Sequence, residues 1–476
     1  MSGFFTIGEK KTRPGIYNRL QNSEYVAPDN IPQGIVIAVV TGNWGELNKA
    51  VHVKATDDYS DYVGSGSGYN ALKQIFAGGV TEAVVCRVGT GGTKGSLEIK
   101  NTASTPVKLA TVTAKYPGTR ALAVTVKASL TDNTKKIIQI SEGTKVLEQF
   151  EYTSSANECA AFTAALADSA YVDVEPEENP SGIVATITQS ALTGGAEPSV
   201  TSAAYSTGFD AVEADTAASL CCICVDSNDT AVHALAVAYV ERIYEGGSYP
   251  LLVIGEASTT TLVNRMSSVS GYDDEKVHYV LNGWVDADGT EYTGYLAAAR
   301  LAGMIAAGAS NVSLTHDVIE EATGLNESLT NAQIEAALNA GAIVFSLSRD
   351  GSVRIEKAIN TFKTVTTEKD AGWKKVRRTK TRFEMMFRIE AATDDLIGDV
   401  TNDENGRAAI IAAGQAVLDA MVGEGKIYSG AEFLLDEANP PQTDMAWFII
   451  KADDMDSFEV GYLTYGFRFS VPADEA

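Results

Sequence analysis

Six apolar residues in a row, Ile35–Val40, stand between Gly34 and Thr41. A strand with one wet face alternates polar and apolar side chains. An unbroken run marks a strand buried on both faces, and such strands sit in parallel sheets covered by helices. The chain repeats this demand. Tyr69–Phe76 reads as a helix, led in by the Gly/Ser turn at 64–68 and stopped by Gly78-Gly79, and Ala83–Val88 reads as a second buried strand. Later the pattern resumes, with strands expected at Ser219–Val225, Pro250–Gly255, Val277–Val285 and Ala342–Leu347. Helices are expected at Ala231–Tyr244, Thr259–Val269, Tyr292–Ala307 and Ala332–Gly341. The expected core is α/β, a doubly wound and mainly parallel sheet.

Between the two halves the composition changes. After the Gly/Thr linker Gly89–Gly95, residues Leu97–Leu192 are rich in Thr, Ser, Val and Lys in short alternating runs. Val107–Ala114, Ala121–Ala128 and Ile137–Ser141 read as half-exposed strands and Ser154–Ala167 as one helix, so an inserted, mostly β domain is expected. A chain of 476 residues is too long for one ordinary domain, and about three are expected. The division reads as an N-terminal arm at 1–28, core parts at 29–90 and 201–352, and the inserted domain at 91–200. A C-terminal α+β domain follows at 353–457, then an arm strand at 458–476.

The C-terminal third has a different character. In Val353–Thr361, apolar Val353 and Ile355 alternate with Arg354 and Glu356, as in a strand with one wet face. Lys374, Lys375, Arg377, Arg378, Lys380 and Arg382 form a dense basic cluster. It reads either as a solvated edge strand or as an electrostatic contact with an acidic partner. Arg407–Met421 reads as a helix, and Trp447–Lys451 and Phe458–Phe469 as strands. Neither Val353–Thr361 nor Phe458–Phe469 has an evident partner nearby in sequence. Such strands must pair with something distant, another chain included.

Chemistry is hard to find. The formal net charge of −25 argues against direct nucleic-acid binding. Met1–Pro14 carries no apolar stretch of signal-peptide length, and Tyr295–Ala309 is too short to span a bilayer, so the chain reads as cytoplasmic. No two of His52, His233, His278 and His316 stand at metal-binding helical spacing. Cys221, Cys222 and Cys224 lie inside an apolar strand, where cysteine is a small hydrophobe. No phosphate-loop motif is complete, and the acidic turn Asp286–Gly289 lacks the glutamate that would close a calcium loop. There is no GxSxG. No cofactor and no metal are expected. Two alternatives stay open: an α/β hydrolase of subtilisin type, which needs Asp, His and Ser converging at strand ends, and a doubly wound ligand-binding protein.

Several stretches together resemble the tail sheath proteins of contractile phages and phage-tail-like bacteriocins. Arg13-Pro14-Gly15-Ile16-Tyr17 is similar to the family's PG(I/V)Y arm. Phe76–Gly79 with Val84–Val88 is similar to its "GG…vvRV" region, and Lys115–Arg120 to "YPGtrGN", with Ala121-Leu122 in place of Gly-Asn. Leu192–Gly195 resembles "LtGG". Ala298–Gly303 with Ser313–His316 resembles "aArvAG…SlTh", and Ile359-Asn360-Thr361 the "INT" that follows Arg354 in the passage to the C-terminal domain. The resemblance is closest to single-chain sheaths of Gram-positive prophage-like elements. It implies a subtilisin-like core without catalytic machinery and a structural subunit that stacks as six-fold rings around an inner tube. It also implies contraction that drives the tube through a bacterial envelope. Partners implied are further copies of the chain, the tail tube, and baseplate and tail terminator proteins, with assembly in the host cytoplasm before release. The implied intersubunit arms hold Pro14, Gly15, Ile16 and Tyr17 at one end. At the other end are Phe458, Val460, Tyr462, Thr464, Phe467 and Phe469. The basic cluster from Lys374 to Arg382 is the candidate tube contact.

Overall fold

The computed structural model describes residues 3–4, 17–18, 34–217 and 220–467. Met1–Ile31 is one unit, and its described part is a parallel pair, Gly3–Phe4 with Tyr17–Asn18. Tyr17 therefore lies in a strand, while Pro14, Gly15, Ile16 and Phe469 lie outside the described residues.

The second unit, Pro32–Ala476, is a mixed α/β body. Its central sheet has seven strands: β1 (Ile35–Val40), β2 (Ala50–Lys54), β3 (Glu82–Arg87), β4 (Cys221–Val225), β5 (Leu251–Gly255), β6 (Val277–Val280) and β7 (Ala342–Ile343). Their spatial order is β7-β6-β5-β4-β1-β3-β2, parallel throughout except for β2 at one edge. Side chains along a strand alternate between faces. Ile37, Val39, Cys221, Ile223 and Val225 point to the side covered by helices α2 (Ser202–Ala211) and α3 (Thr230–Glu245). Their neighbours Val36, Ala38, Val40, Cys222 and Cys224 point the other way, towards α1 (Ser67–Ala77) and α4 (Tyr295–Ala307). Both layers press close. A Cβ on Gly208 of α2 would fall 2.6 Å from Val39 Cγ1, and one on Gly68 of α1 would fall 2.0 Å from the Thr41 carbonyl oxygen.

Residues 96–191 form their own four- and three-stranded sheets around Ile99, Leu109, Val112, Val124, Ile138, Ile140 and Phe162. The segment leaves and returns at one place, where Thr90 and Ser199 exchange backbone hydrogen bonds of 3.0 and 2.9 Å. Arg87, at the end of β3, locks this joint. Its guanidinium donates to the carbonyls of Gly42 and Gly45 in the core and of Pro117 in the inserted segment.

Several sequence expectations need correction. Val277–Val285 is not one strand. β6 ends at Val280, and Trp284–Asp286 joins a separate small sheet, because the backbone at Gly283 passes directly against Tyr292. Ala342–Leu347 likewise divides into β7 and β8 (Phe345–Leu347). The run from Val353 does have a local partner: β9 (Val353–Ile355) pairs antiparallel with β8 across a turn in which Ser348 and Ser352 hydrogen-bond at 2.9 Å. Lys375 is the N-cap of α5 (Val376–Asp394), so the basic cluster runs along a helix and is not an edge strand. Of the expected strand Phe458–Phe469, the described part belongs to no helix or strand and pairs with no strand among the described residues.

The C-terminal part packs α5 against α6 (Glu404–Gly423) and against the antiparallel pair β10 (Glu432–Leu435) and β11 (Phe448–Lys451), around Ile389, Val417, Leu418, Met421 and Phe433. Ile359, Asn360 and Thr361 weld it to the core. The Asn360 amide donates to the carbonyls of Glu275 and Trp373, and the Thr361 N–H donates to Val277 at the edge of β6.

Candidate functional site

In an open α/β sheet the place for a ligand is the crevice beyond the strand ends where the winding direction reverses. Here that point lies between β1 and β4, and it is filled. Asp226, one residue past β4, is buried. Its carboxylate accepts from the Thr41 N–H (2.9 Å) and hydroxyl (2.6 Å), the Ser67 hydroxyl (2.6 Å) and the Tyr205 hydroxyl (2.8 Å). The Gly64–Gly68 turn brings the start of α1 onto this carboxylate. Four donors thus saturate the carboxylate, and the residues at this strand end bind one another. The one nearby histidine, His233, hydrogen-bonds the Ser227 carbonyl through Nε2 at 2.8 Å. The three neighbouring cysteines point alternately to opposite faces of β4, and burial pushes the Cys222 thiol up to about 12. Among the described residues no cluster of His, Cys, Asp or Glu could hold a metal ion.

The surface that is organised lies where the chain departs from its last strand. From Phe448 to Met455 it runs beside 426–435, with the Tyr428 N–H donating to Asp453 and the Met455 N–H to Lys426. The next carboxylates then dock on the basic cluster. Asp454 receives the Arg378 guanidinium in a two-pronged contact (Nη2–Oδ1 2.9 Å) and Arg382 at 3.0 Å. Burial would raise the pKa of Asp454, but these two guanidiniums outweigh it and hold the carboxyl below its usual range. Lys375 binds Asp456 at 2.8 Å and Glu459 at 3.1 Å, and Lys357 reaches Glu459 at 3.8 Å. Arg382 also binds Asp370 and lies over the Trp373 ring.

This clasp inverts the usual order of a surface segment. The Glu459 side chain is 9% exposed, whereas Phe458 is 88%, Val460 61% and Tyr462 94% exposed. Phe467 is as open as these. Asp454 and Glu459 face in and the aromatics face out.

The sequence-derived residues thus separate. Lys375, Arg378 and Arg382 serve the clasp. Lys380 is buried inside the subunit, where its ammonium binds the carbonyls of Ile305, Ala306 and Gly308 at the C-terminal end of α4. Lys374 and Arg377 are half-buried and take part in none of these pairs. Arg354 is half-buried on β9, and Ile359, Asn360 and Thr361 are interior. Sequence reasoning missed the acids Asp454, Asp456 and Glu459 as partners of the basic cluster. Opposite charge was their signal, but some seventy residues separate the two groups.

Beside β11 lies an open groove of about 440 Å³ of mixed character, lined by apolar Trp373, Met385, Met386, Ile427, Ile450 and Ala452 and by polar residues that include Glu368, Asp370, Arg382 and Asp454. Among the described residues β11 has β10 on one side and no strand on the other. Leu434, Ile449 and Ile450 of this pair are exposed. An open apolar strand edge is a site for another strand.

The strand ends are filled, the aromatic segment faces outward and, among the described residues, one strand edge is uncovered. Comparison with known proteins gives the family. Residues 199–361 match the phage tail sheath protein central domain and residues 91–197 the phage tail sheath protein beta-sandwich domain. The fold is similar to that of the sheath tail protein from Desulfitobacterium hafniense, with a TM-score of 0.71 at 22% identity over 93% of this chain and 100% of that one. It is also similar to the helical sheath of the anti-feeding prophage in its contracted state, with a TM-score of 0.53 at 10% identity over 96% of this chain and 99% of that one. The phage-like element PBSX protein XkdK of Bacillus subtilis (strain 168) is 25% identical over 379 residues, 77% of each chain. The chain belongs to the contractile phage tail sheath family. It is a structural subunit of a tail sheath, not an enzyme.

Proposed function

We propose that the subunit polymerises as stacked six-fold rings around an inner tail tube and contracts to drive that tube through a bacterial envelope. The observation that carries this reading is the arm at 455–467, clasped at its root by acids and offering its aromatic side outward. In this reading the N-terminal arm and the C-terminal arm add strands to the C-terminal sheet of neighbouring copies. The core is a subtilisin-like scaffold whose strand ends carry no catalytic set, flanked by the division into arms, inserted domain and C-terminal domain given above. The subunit assembles in the host cytoplasm with tube, baseplate and terminator proteins and leaves with the finished particle. Lys374 and Arg377, outside the clasp, are the basic residues offered to an acidic tube.

Magnitudes favour templated assembly. A strand addition adds several backbone hydrogen bonds of about 0.5–1.5 kcal/mol each, while association costs roughly 4–15 kcal/mol. One arm alone does not hold a dimer, whereas two arms with face contacts hold a lattice. Negative-stain electron microscopy of the protein at rising concentration, with and without tube and baseplate proteins, tests the reading. Striated hollow tubes are expected. Monodisperse monomers under every condition would refute it.

A further inference from the structure

We infer that the cavity between the central core and the inserted segment is a site for a small oxyanion, with Arg87 as its fixed anchor and Lys49 as a mobile second contact. Every residue of this site comes from one subunit, so its ligand binds without assembly.

The cavity holds about 220 Å³. Glu46, Lys49, Asp61 and Arg87 of the core line it, and Tyr116 and Ala170 of the inserted segment close it. Pockets for drug-sized ligands run from roughly 300 to 1,000 Å³ and favour junctions between domains, so this one suits a smaller molecule. Its charges are matched, except one. Glu46 and Lys49 pair with each other at 3.0 Å. Asp61 accepts from the Tyr171 hydroxyl at 2.6 Å and pairs with Arg120 at 3.3 Å. Arg87 is 2% exposed, and its hydrogen bonds of 2.9, 2.7 and 3.0 Å go to the uncharged carbonyls of Gly42, Gly45 and Pro117. Its Nη2 has no hydrogen-bond partner among the described residues.

A buried charge without a counter-charge is costly. Burial pushes the Arg87 pKa down to about 10, and Glu197, whose carboxylate is taken by the Thr119 hydroxyl at 2.6 Å, offsets this only from a distance. That value lies well above neutral pH, so the guanidinium keeps its charge. An anion in the adjoining cavity would supply the missing counter-charge. The three carbonyls fix the plane of the guanidinium, which holds its remaining N–H edge in place, and a planar fork of this kind matches a carboxylate or phosphate. The Lys49 side chain is 62% exposed, so its ammonium is free to swing from Glu46 to a bound oxyanion. The net charge of −25 repels anions from the surface as a whole. An anion held here is therefore held by these local donors.

The test is isothermal titration calorimetry of the full-length protein with inorganic phosphate and, separately, with malonate, against sodium chloride at matched ionic strength. Saturable binding of one anion per chain is expected for at least one of the two, and the tighter one tells whether the ligand is a phosphate or a carboxylate. Lys49→Met should weaken that binding by roughly threefold or more and leave the anion-free melting temperature unchanged, because Lys49 is exposed. Arg87→Lys keeps a positive charge but loses the planar fork, and should weaken binding by about tenfold or more. Should Arg87→Lys fail to fold, Lys49→Met decides alone. No saturable heat with either anion would overturn the inference. So would an affinity unchanged in Lys49→Met or in folded Arg87→Lys, which would mark an adventitious ion only, bound elsewhere.

Discussion

Removing one arm of the clasp gives a local opening that can be sized in advance. In Arg378→Met the apolar stem remains and the guanidinium is lost. Asp454, whose side chain is 8% exposed, keeps Arg382 at 3.0 Å but loses both contacts with Arg378. A hydrogen bond to a charged group contributes about 1.5–3 kcal/mol, and breaking a buried pair outright costs roughly 3–5 kcal/mol. Arg382 still compensates part of the charge and the Arg378 side chain is 22% exposed, so the lower range applies, about 2 kcal/mol. At about 1.4 kcal/mol per tenfold, this is roughly 30-fold in local opening. Losing Arg382 as well should raise the cost to about 4 kcal/mol, several hundred-fold. Hydrogen exchange read by mass spectrometry on peptides spanning 426–428 and 452–460 reports the opening directly. There the N–H groups of Tyr428 and Met455 hold the last strand. With Asp454→Asn the Arg378 effect should nearly vanish, because the two residues act through one contact. Because the Asp454 pKa is lowered in the fold, the clasp is at full strength above the ordinary carboxylate range and is lost as pH falls through its lowered value. Exchange at 452–460 in Arg378→Met that changes less than threefold, or effects of Arg378→Met and Asp454→Asn that simply add, would refute the reasoning.

Three further outcomes are expected. Glu384→Gln should cost about 3–5 kcal/mol, seen as an earlier urea midpoint for the C-terminal part, because the buried carboxylate binds Lys426 at 2.6 Å, Arg388 and Ser310 and its loss leaves buried cations uncompensated; an unmoved midpoint would count against it. Burial holds His278 neutral with its pKa pushed down to about 4, so the unfolded chain gains a proton that the fold refuses, and stability should fall between pH 6.5 and 4 by up to roughly 3 kcal/mol. Guanidinium titrations of His278→Gln across that range should show a shallower slope, and an identical slope would exclude this origin. Replacing 91–197 by a short Gly/Ser linker should leave a soluble protein with a cooperative melt, since Thr90 and Ser199 already hold each other; its appearance only as insoluble aggregate would contradict that.

What the sequence determined by itself was whatever local periodicity encodes. Ile35–Val40, Cys221–Val225 and Leu251–Gly255 are apolar at every position because both faces of their sheet are covered, and that pattern is readable without coordinates. The helices at Thr230–Glu245 and Glu404–Gly423 are legible for the same reason, with Asp229 and Asp403 capping them. Where a buried face is built from ions, periodicity is silent. α5 hides Thr379, Lys380 and Glu384 on its interior side, so the basic cluster that opens this 19-residue helix could be read as a solvated edge strand or as a partner contact. The break at Gly283 was equally hidden, because what bends the chain there is the backbone of Tyr292. The candidate site belongs wholly to the tertiary level. Lys375, Arg378 and Arg382 are unmistakably basic in the sequence, but whether they face a partner or their own chain depends on Asp454, Asp456 and Glu459 arriving beside them. Charge is a local property of a residue, whereas its neutralisation is a property of distance, and distance between residues seventy positions apart is set by the fold.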